Sequence, residues 1–300
     1  MQTVIVILLS CFIIVRGSTV HELQYGEGPE GPSHWPGLCA TGLRQSPIDI
    51  SPDNVIPSIF SDLKFTNYNK EGSVEILNLG ETLQVRGFEK WNNLQPVISG
   101  GGLKGKYKLL QLHFHWSDSD ENGSEHTIQG THFPLEIHFV HVKENRTLQQ
   151  ALLEPDGLMV LGVFGTITFD THHLSSLMPG LKVMENSTVG THIDFKIIPE
   201  QLLPLERLSF YRYEGSLTTP ECEESVIWTI LPAPISMSRS QMAALQKIRK
   251  SQHLEYSTNL RPIQKLNGRK IHFRLRIAHI TAPTKSRTPR QSGPIRVPKS

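Results

Sequence analysis

Two short runs of the chain hold three histidines at strand spacing. In Gln111-Leu112-His113-Phe114-His115-Trp116 the imidazoles are two residues apart, so on a β-strand both project to one face while Leu112, Phe114 and Trp116 project to the other. The run Leu135-Glu136-Ile137-His138-Phe139-Val140-His141 repeats the period. There Glu136, His138 and Val140 share a face. Two adjacent strands of this kind can offer three neutral imidazoles to one ion. Three protein ligands with a fourth position left open is the catalytic form of a zinc site, whereas structural sites are closed by four. Gln111 beside His113 and Glu136 beside His138 are placed to accept the proton of a second ring nitrogen, which fixes tautomer and orientation. An isolated His-x-His is more often a pair of half-exposed histidines, and His141 and the pair His172-His173 are expected to be of that ordinary kind. For His113, His115 and His138 the opposite faces are apolar. They should therefore be buried with little polar company except Gln111 and Glu136, and buried imidazoles need partners.

The elements that must position these runs are mainly short strands. Alternating or apolar segments cover Val74–Leu79, Thr82–Val85, Lys108–Trp116, Leu135–Val142, Leu158–Phe164, Ile193–Ile197, Ser225–Leu231 and Ile271–Leu275, with Gly, Pro, Asn and Asp between them. The clearest helix is Ser238–Ser251, opened by a serine cap and carrying Met242, Leu245 and Ile248 at helical spacing. Length alone would allow two domains. No linker-like segment or internal repeat interrupts the middle, so one sheet-rich domain over residues 18–280 is expected.

Residues Val4–Val15 form an apolar run of twelve, broken by Ser10 and Cys11 and followed by Arg16-Gly17-Ser18. The run is short for a bilayer span and sits at the N-terminus, which indicates a secretory signal over residues 1–17 and an extracellular product without a membrane anchor. Of three cysteines, Cys11 leaves with that signal, and Cys39 and Cys222 remain as the pair an oxidising compartment would bridge. Glycosylation sequons at Asn122, Asn145 and Asn186 fit a secreted surface. With 30 basic and 28 acidic residues, the chain has no global polyelectrolyte character, and no nucleic-acid partner is implied. The asymmetry is local. No acid follows Glu255, and residues 281–300 carry Lys285, Arg287, Arg290, Arg296 and Lys299 among four prolines. That composition is expected of a disordered basic tail able to touch an anionic matrix, although a solvated tail without a partner is the commoner case.

Taken in order and spacing, Gln45-Ser46-Pro47-Ile48-Asp49-Ile50, Gln111–Trp116, Gly123-Ser124-Glu125-His126, Glu136-Ile137-His138, Ser216-Leu217-Thr218-Thr219-Pro220 and Asn259-Leu260-Arg261-Pro262 resemble an α-class carbonic anhydrase. The resemblance spans about Leu23 to Ile277. It implies a large, twisted, mostly antiparallel sheet with surface helices and Zn2+ at the base of a conical cleft. The implied activity is the reversible hydration of carbon dioxide to bicarbonate by zinc-bound hydroxide. By the same resemblance, His113, His115 and His138 hold the metal, and Thr218 accepts the hydroxide proton and donates onward to Glu125. Val140, Val160, Leu217, Val226 and Trp228 form the apolar wall for carbon dioxide. Thr219 and Tyr25 line the hydrophilic side, while His126, Asn259 and Arg261 support the site from behind. Secreted relatives pair cysteines at the positions of Cys39 and Cys222. Non-catalytic relatives serving as recognition domains typically lose a zinc histidine; this chain keeps all three.

One departure matters. The fastest members of the family carry a histidine where this chain has Glu81, and an asparagine where it has Leu79. That histidine passes the proton to buffer, a task suited to a group titrating near neutrality. A solvated carboxylate at Glu81 is a poor match, so proton transfer is expected to be weakened, with His34 as a substitute whose position the sequence does not give.

Overall fold

The computed structural model describes residues 24–169, 173–251 and 258–275. The signal expected over residues 1–17 and the tail over 281–300 lie outside the described residues, as does His172.

Strands drawn from Val55 to Arg274 join in one sheet of 12 strands. Its order runs from His192–Ile197 through Gly72–Asn78, Leu83–Arg86, Tyr107–Trp116, Leu135–Lys143, Leu158–Ile167 and Val226–Met237. It continues through Phe210–Gly215 and Ile271–Arg274 to Val55–Pro57. Leu63–Thr66 and Val97–Gly100 pair beside this path. Most neighbours are antiparallel, as expected, but Leu158–Ile167 pairs with Val226–Met237 in parallel, and Ile271–Arg274 with Val55–Pro57 likewise.

The pleat explains the burial. Leu112, Phe114 and Trp116 from one histidine strand, and Leu135, Ile137 and Phe139 from the next, join one apolar core. Val140 and Val142 on the other face join a second core with Val160, Leu217, Val226 and Trp228. The two histidine strands lie in mid-sheet with cores on both faces, so they read as nearly continuous burial rather than alternating exposure. The helix Arg239–Ser251 covers the first core with Met242, Leu245 and Ile248. Its N-terminus is closed by a reciprocal cap: Gln241 N–H donates to Ser238 Oγ at 3.2 Å, and Ser238 N–H donates to Gln241 Oε1 at 2.8 Å.

Two expectations change. The strand expected to stop at Leu231 continues to Met237 past Pro232 and Pro234. The ladder slips between Val163, opposite Leu231, and Gly165, opposite Ile235, so both prolines fall in a bulge where a missing N–H costs no ladder bond. His141 is not half-exposed but fully buried at 0%. It projects away from His138, receives a backbone carbonyl partner at Met159 O (Nδ1, 3.1 Å), and its Nε2 meets the Tyr68 hydroxyl in a short hydrogen bond. His173 sits partly buried against Ser236.

Burial pulls the His141 imidazole down to about 4. In the unfolded chain it titrates near 6.5. Between those values the unfolded state binds a proton that the native state does not, so stability is complete above pH 6.5 and falls as pH falls toward 4. His141→Asn should flatten that slope in urea unfolding measured from pH 6.5 to 4. The expected difference is on the order of 3 kcal/mol across the window, from about 1.4 kcal/mol per pKa unit.

Candidate metal centre

His113 and His138 face each other directly across the ladder, and His115 faces Glu136 one step along. Ring centroids are 5.0 Å apart for His113 and His115, 5.2 Å for His113 and His138, and 4.4 Å for His115 and His138. One nitrogen from each ring lies within 4.8 Å of the others, and all three residues are buried.

The remaining ring nitrogens decide the tautomers. His115 Nδ1 lies 2.9 Å from Asn259 O. A carbonyl only accepts, so Nδ1 carries the proton and Nε2 carries the lone pair. His138 Nε2 lies 2.7 Å from Glu136 Oε1, which leaves the lone pair on Nδ1. His113 Nδ1 lies 3.0 Å from Gln111 Oε1 and leaves Nε2. Burial lowers the proton affinity of all three rings well below or below the usual histidine value, so they are neutral as ligands must be. Glu136 is fully buried. Burial alone would raise its carboxyl, but the His126 and His138 imidazoles and their hydrogen bonds hold it well below the usual carboxylate range. It accepts from His126 Nδ1 at 2.7 Å, from the His126 amide at 2.8 Å and from His138 Nε2 at 2.7 Å. A second cluster of His126, Glu136 and His138 therefore uses its close approaches for hydrogen bonds.

The donor set fits zinc. His115 Nε2 lies 3.5 Å from Glu125 Oε2, and His138 Nδ1 lies 3.9 Å from the same oxygen. His115 Nε2 and Glu125 Oε2 are both buried without a hydrogen-bond partner among the described residues. Two buried polar atoms left without partners at the centre of three converging imidazoles are what a bound cation would satisfy. Three imidazoles with acceptors on their outer nitrogens form the first and outer ligand shells of a catalytic zinc site.

The fold and the site agree with known proteins. Residues 30–275 match the family described as eukaryotic-type carbonic anhydrase. The chain belongs to that family. It is 43% identical over 257 residues to the Caenorhabditis elegans protein that carries the name carbonic anhydrase 5, covering 85% of this chain and 82% of the relative. It is 38% identical over 259 residues to human carbonic anhydrase 7, covering 83% and 96%. The activity is that of a zinc-dependent carbonate dehydratase, acting on carbon dioxide and bicarbonate. Carbonic anhydrases are the standard example of what zinc supplies when bound: it acidifies a water so that its conjugate base is available near neutrality.

Several of the other expected residues contact the triad or one another. Thr218 hydrogen-bonds to Glu125, whose Oε1 also accepts from the Arg261 amide at 2.9 Å; burial nevertheless pushes this carboxyl well above its usual range. Val140, Val160 and Trp228 stand in register across three adjacent strands, and Leu217 and Val226 join them in one core. The Trp228 ring packs 4.8 Å from His138. Gly162 lies opposite His138, where an added Cβ would stand 2.6 Å from Ile230 and 3.2 Å from Glu136 Oε1. A side chain there would crowd that carboxylate and force Ile230 to shift. The disulfide joins Cys39 to Cys222. Cys222 N–H donates to Thr219 O at 2.8 Å, which ties the loop of Thr218 and Thr219 to the N-terminal segment. Tyr25 packs edge-on against Trp35 at 5.6 Å, in the cluster that includes both cysteines.

Glu81 differs from expectation. It occupies the turn between Gly72–Asn78 and Leu83–Arg86 and is only 5% exposed, so it is not a solvated carboxylate. His34 is exposed, beside Ser33. Sequence reasoning missed Tyr213, whose hydroxyl lies 2.7 Å from His126 Nε2 and donates to Ser46 Oγ at 2.9 Å. It also missed the Asn259 carbonyl as the partner of His115, because no residue type advertises a backbone acceptor.

Glu136→Gln would set an amide NH2 against a donor that the carboxylate now accepts. Zinc affinity measured by chelator competition should fall about 10- to 100-fold, the usual cost of losing such a ligand support.

Proposed function

We propose that this carbonic anhydrase is a secreted enzyme whose turnover is limited by delivery of the reaction proton to buffer. The observation that carries the second half is Glu81, a carboxylate at the position of the family's shuttle, nearly closed off from solvent. A shuttle must reload from and discharge to solvent, and a buried acid does so poorly.

The remaining steps follow from the residues present. The Thr218 hydroxyl has its proton committed to Glu125, so its lone pair faces the site and orients the attacking oxygen by accepting from it. This donor order favours species that bring a proton and rejects those that cannot. Val140, Val160, Leu217 and Trp228 offer an apolar surface to carbon dioxide, which lacks a dipole. Secretion is supported by the apolar N-terminal run, by the disulfide across 183 residues, and by sequon residues Asn122, Asn145 and Asn186, all exposed. At Asn122 the companion Ser124 is fully buried, its hydroxyl donating to His126 O at 2.7 Å. That makes this sequon the hardest to modify after folding.

The test is stopped-flow hydration of carbon dioxide on zinc-loaded protein, in weak buffer and with increasing imidazole. Turnover should climb with buffer, and Glu81→His should raise it about 100-fold in weak buffer, at the low end of general acid–base effects. An unchanged rate in Glu81→His would mean that another group moves the proton. Recovery of the product inside cells, with Cys39 and Cys222 reduced, would overturn secretion.

A further inference from the structure

A cavity of about 480 Å³ opens beside the strand Phe210–Gly215, and none of the three metal-site histidines lines it. Phe60, Leu103, Pro155 and Ile227 give it apolar walls. Set into these walls is Arg212, only 7% exposed.

Arg212 is chemically incomplete. Its Nε donates to Thr229 Oγ1 at 3.0 Å, and its guanidinium stands 5.1 Å from the Phe210 ring and 5.8 Å from the Phe60 ring. Its Nη2 is buried without a partner. Among the described residues no carboxylate pairs with it. The two acids at the cavity wall are engaged elsewhere, Asp156 with Lys143 at 2.7 Å and Glu214 with Arg44 at 3.4 Å. Arg269, on the same wall, differs: its guanidinium nitrogens donate to the carbonyls of Leu266, Glu214, Gln45 and Lys265. Burial pulls the Arg212 guanidinium down to about 10, so it remains charged at neutral pH with no carboxylate to offset its desolvation. Lys104 and Lys270 add positive charge at the wall.

We propose that this cavity binds an organic carboxylate with an apolar body, its carboxylate on the Arg212 guanidinium and its body against Phe60, Leu103, Pro155 and Ile227. A planar guanidinium matches a carboxylate. The cavity is of ligand size, and its apolar residues leave room that a bare inorganic anion would not fill.

The test uses zinc-loaded protein with the metal position saturated by benzenesulfonamide, so that a carboxylate cannot report from there. Isothermal titration with 4-phenylbutyrate should give one saturable site. The neutral 4-phenylbutyramide and inorganic phosphate should each bind at least tenfold more weakly. Arg212→Met should weaken phenylbutyrate at least tenfold by removing the charge, and Ile227→Trp should do the same by filling the cavity with Arg212 intact. If Arg212→Met does not fold, the acid–amide pair and Ile227→Trp decide. Absence of saturable binding to the wild type overturns the proposal, as does an amide or phosphate as tight as the acid. Ile227→Trp binding like the wild type would place the ligand outside the cavity and overturn it too.

Discussion

The buried carboxylate of Glu136 is the contact on which the metal site depends. It sits at 0% exposure in the middle of the sheet, where an ionised acid without partners would be prohibitive. Three N–H groups converge on it, two from His126 and one from His138. Those bonds keep the acid charged, and the charged acid fixes which His138 nitrogen carries the proton. The tautomer of one ligand is thus fixed by hydrogen bonds within the protein. The chain of contacts continues outward from His126 to Tyr213 and Ser46, so the orientation of one ligand is held by three separated parts of the sequence.

Much of this was legible in the sequence because it follows the pleat. His113, His115 and His138 on one face, with Leu112, Phe114, Trp116 and Ile137 on the other, is a period-two statement, and the cores divide that way. Gln111 and Glu136 were visible because their neighbours in sequence are also their neighbours in space. Partners distant in sequence were visible only through family resemblance. Asn259 reaches His115 across 144 residues, and Arg261 reaches Glu125 across 136. Local pattern failed where the sheet's interior overrode it. His141 belongs to a strand covered on both faces, so its exposure was set by the sheet and not by its own run. Pro232 and Pro234 marked a break by residue type, yet a bulge absorbed both.

Two fully or nearly buried arginines show how differently this fold treats the same charge. Arg261 donates to Gln45 Oε1, Ser46 O and Cys39 O, and its backbone amide serves Glu125. Its three side-chain bonds and its amide join the N-terminal segment, the disulfide and Glu125, although its Nε is also left without a partner and burial pulls the guanidinium down to about 10, as at Arg212. Arg212 has a side-chain hydroxyl and two aromatic faces. A chain that needed only packing at that position would be served by an apolar residue of similar volume, since replacing buried charge by well-packed apolar groups is often neutral or stabilising.

Asn259 joins the turn of Glu81 to the metal site. Its side-chain Nδ2 donates to Glu81 O and to Phe114 O, both at 2.9 Å, and its Oδ1 accepts from the Trp116 amide at 2.9 Å. Its own carbonyl orients His115. The turn carrying Glu81 is thus joined to the histidine strand through the Glu81 carbonyl. Thr82 adds a side-chain bond to Phe114 O at 2.6 Å, again independent of which side chain stands at 81. The bonds from Asn259 and Thr82 that hold this turn and orient His115 do not themselves use the side chain at 81. The orientation of the ligand His115 therefore rests on groups other than the side chain on which the proposed proton path depends.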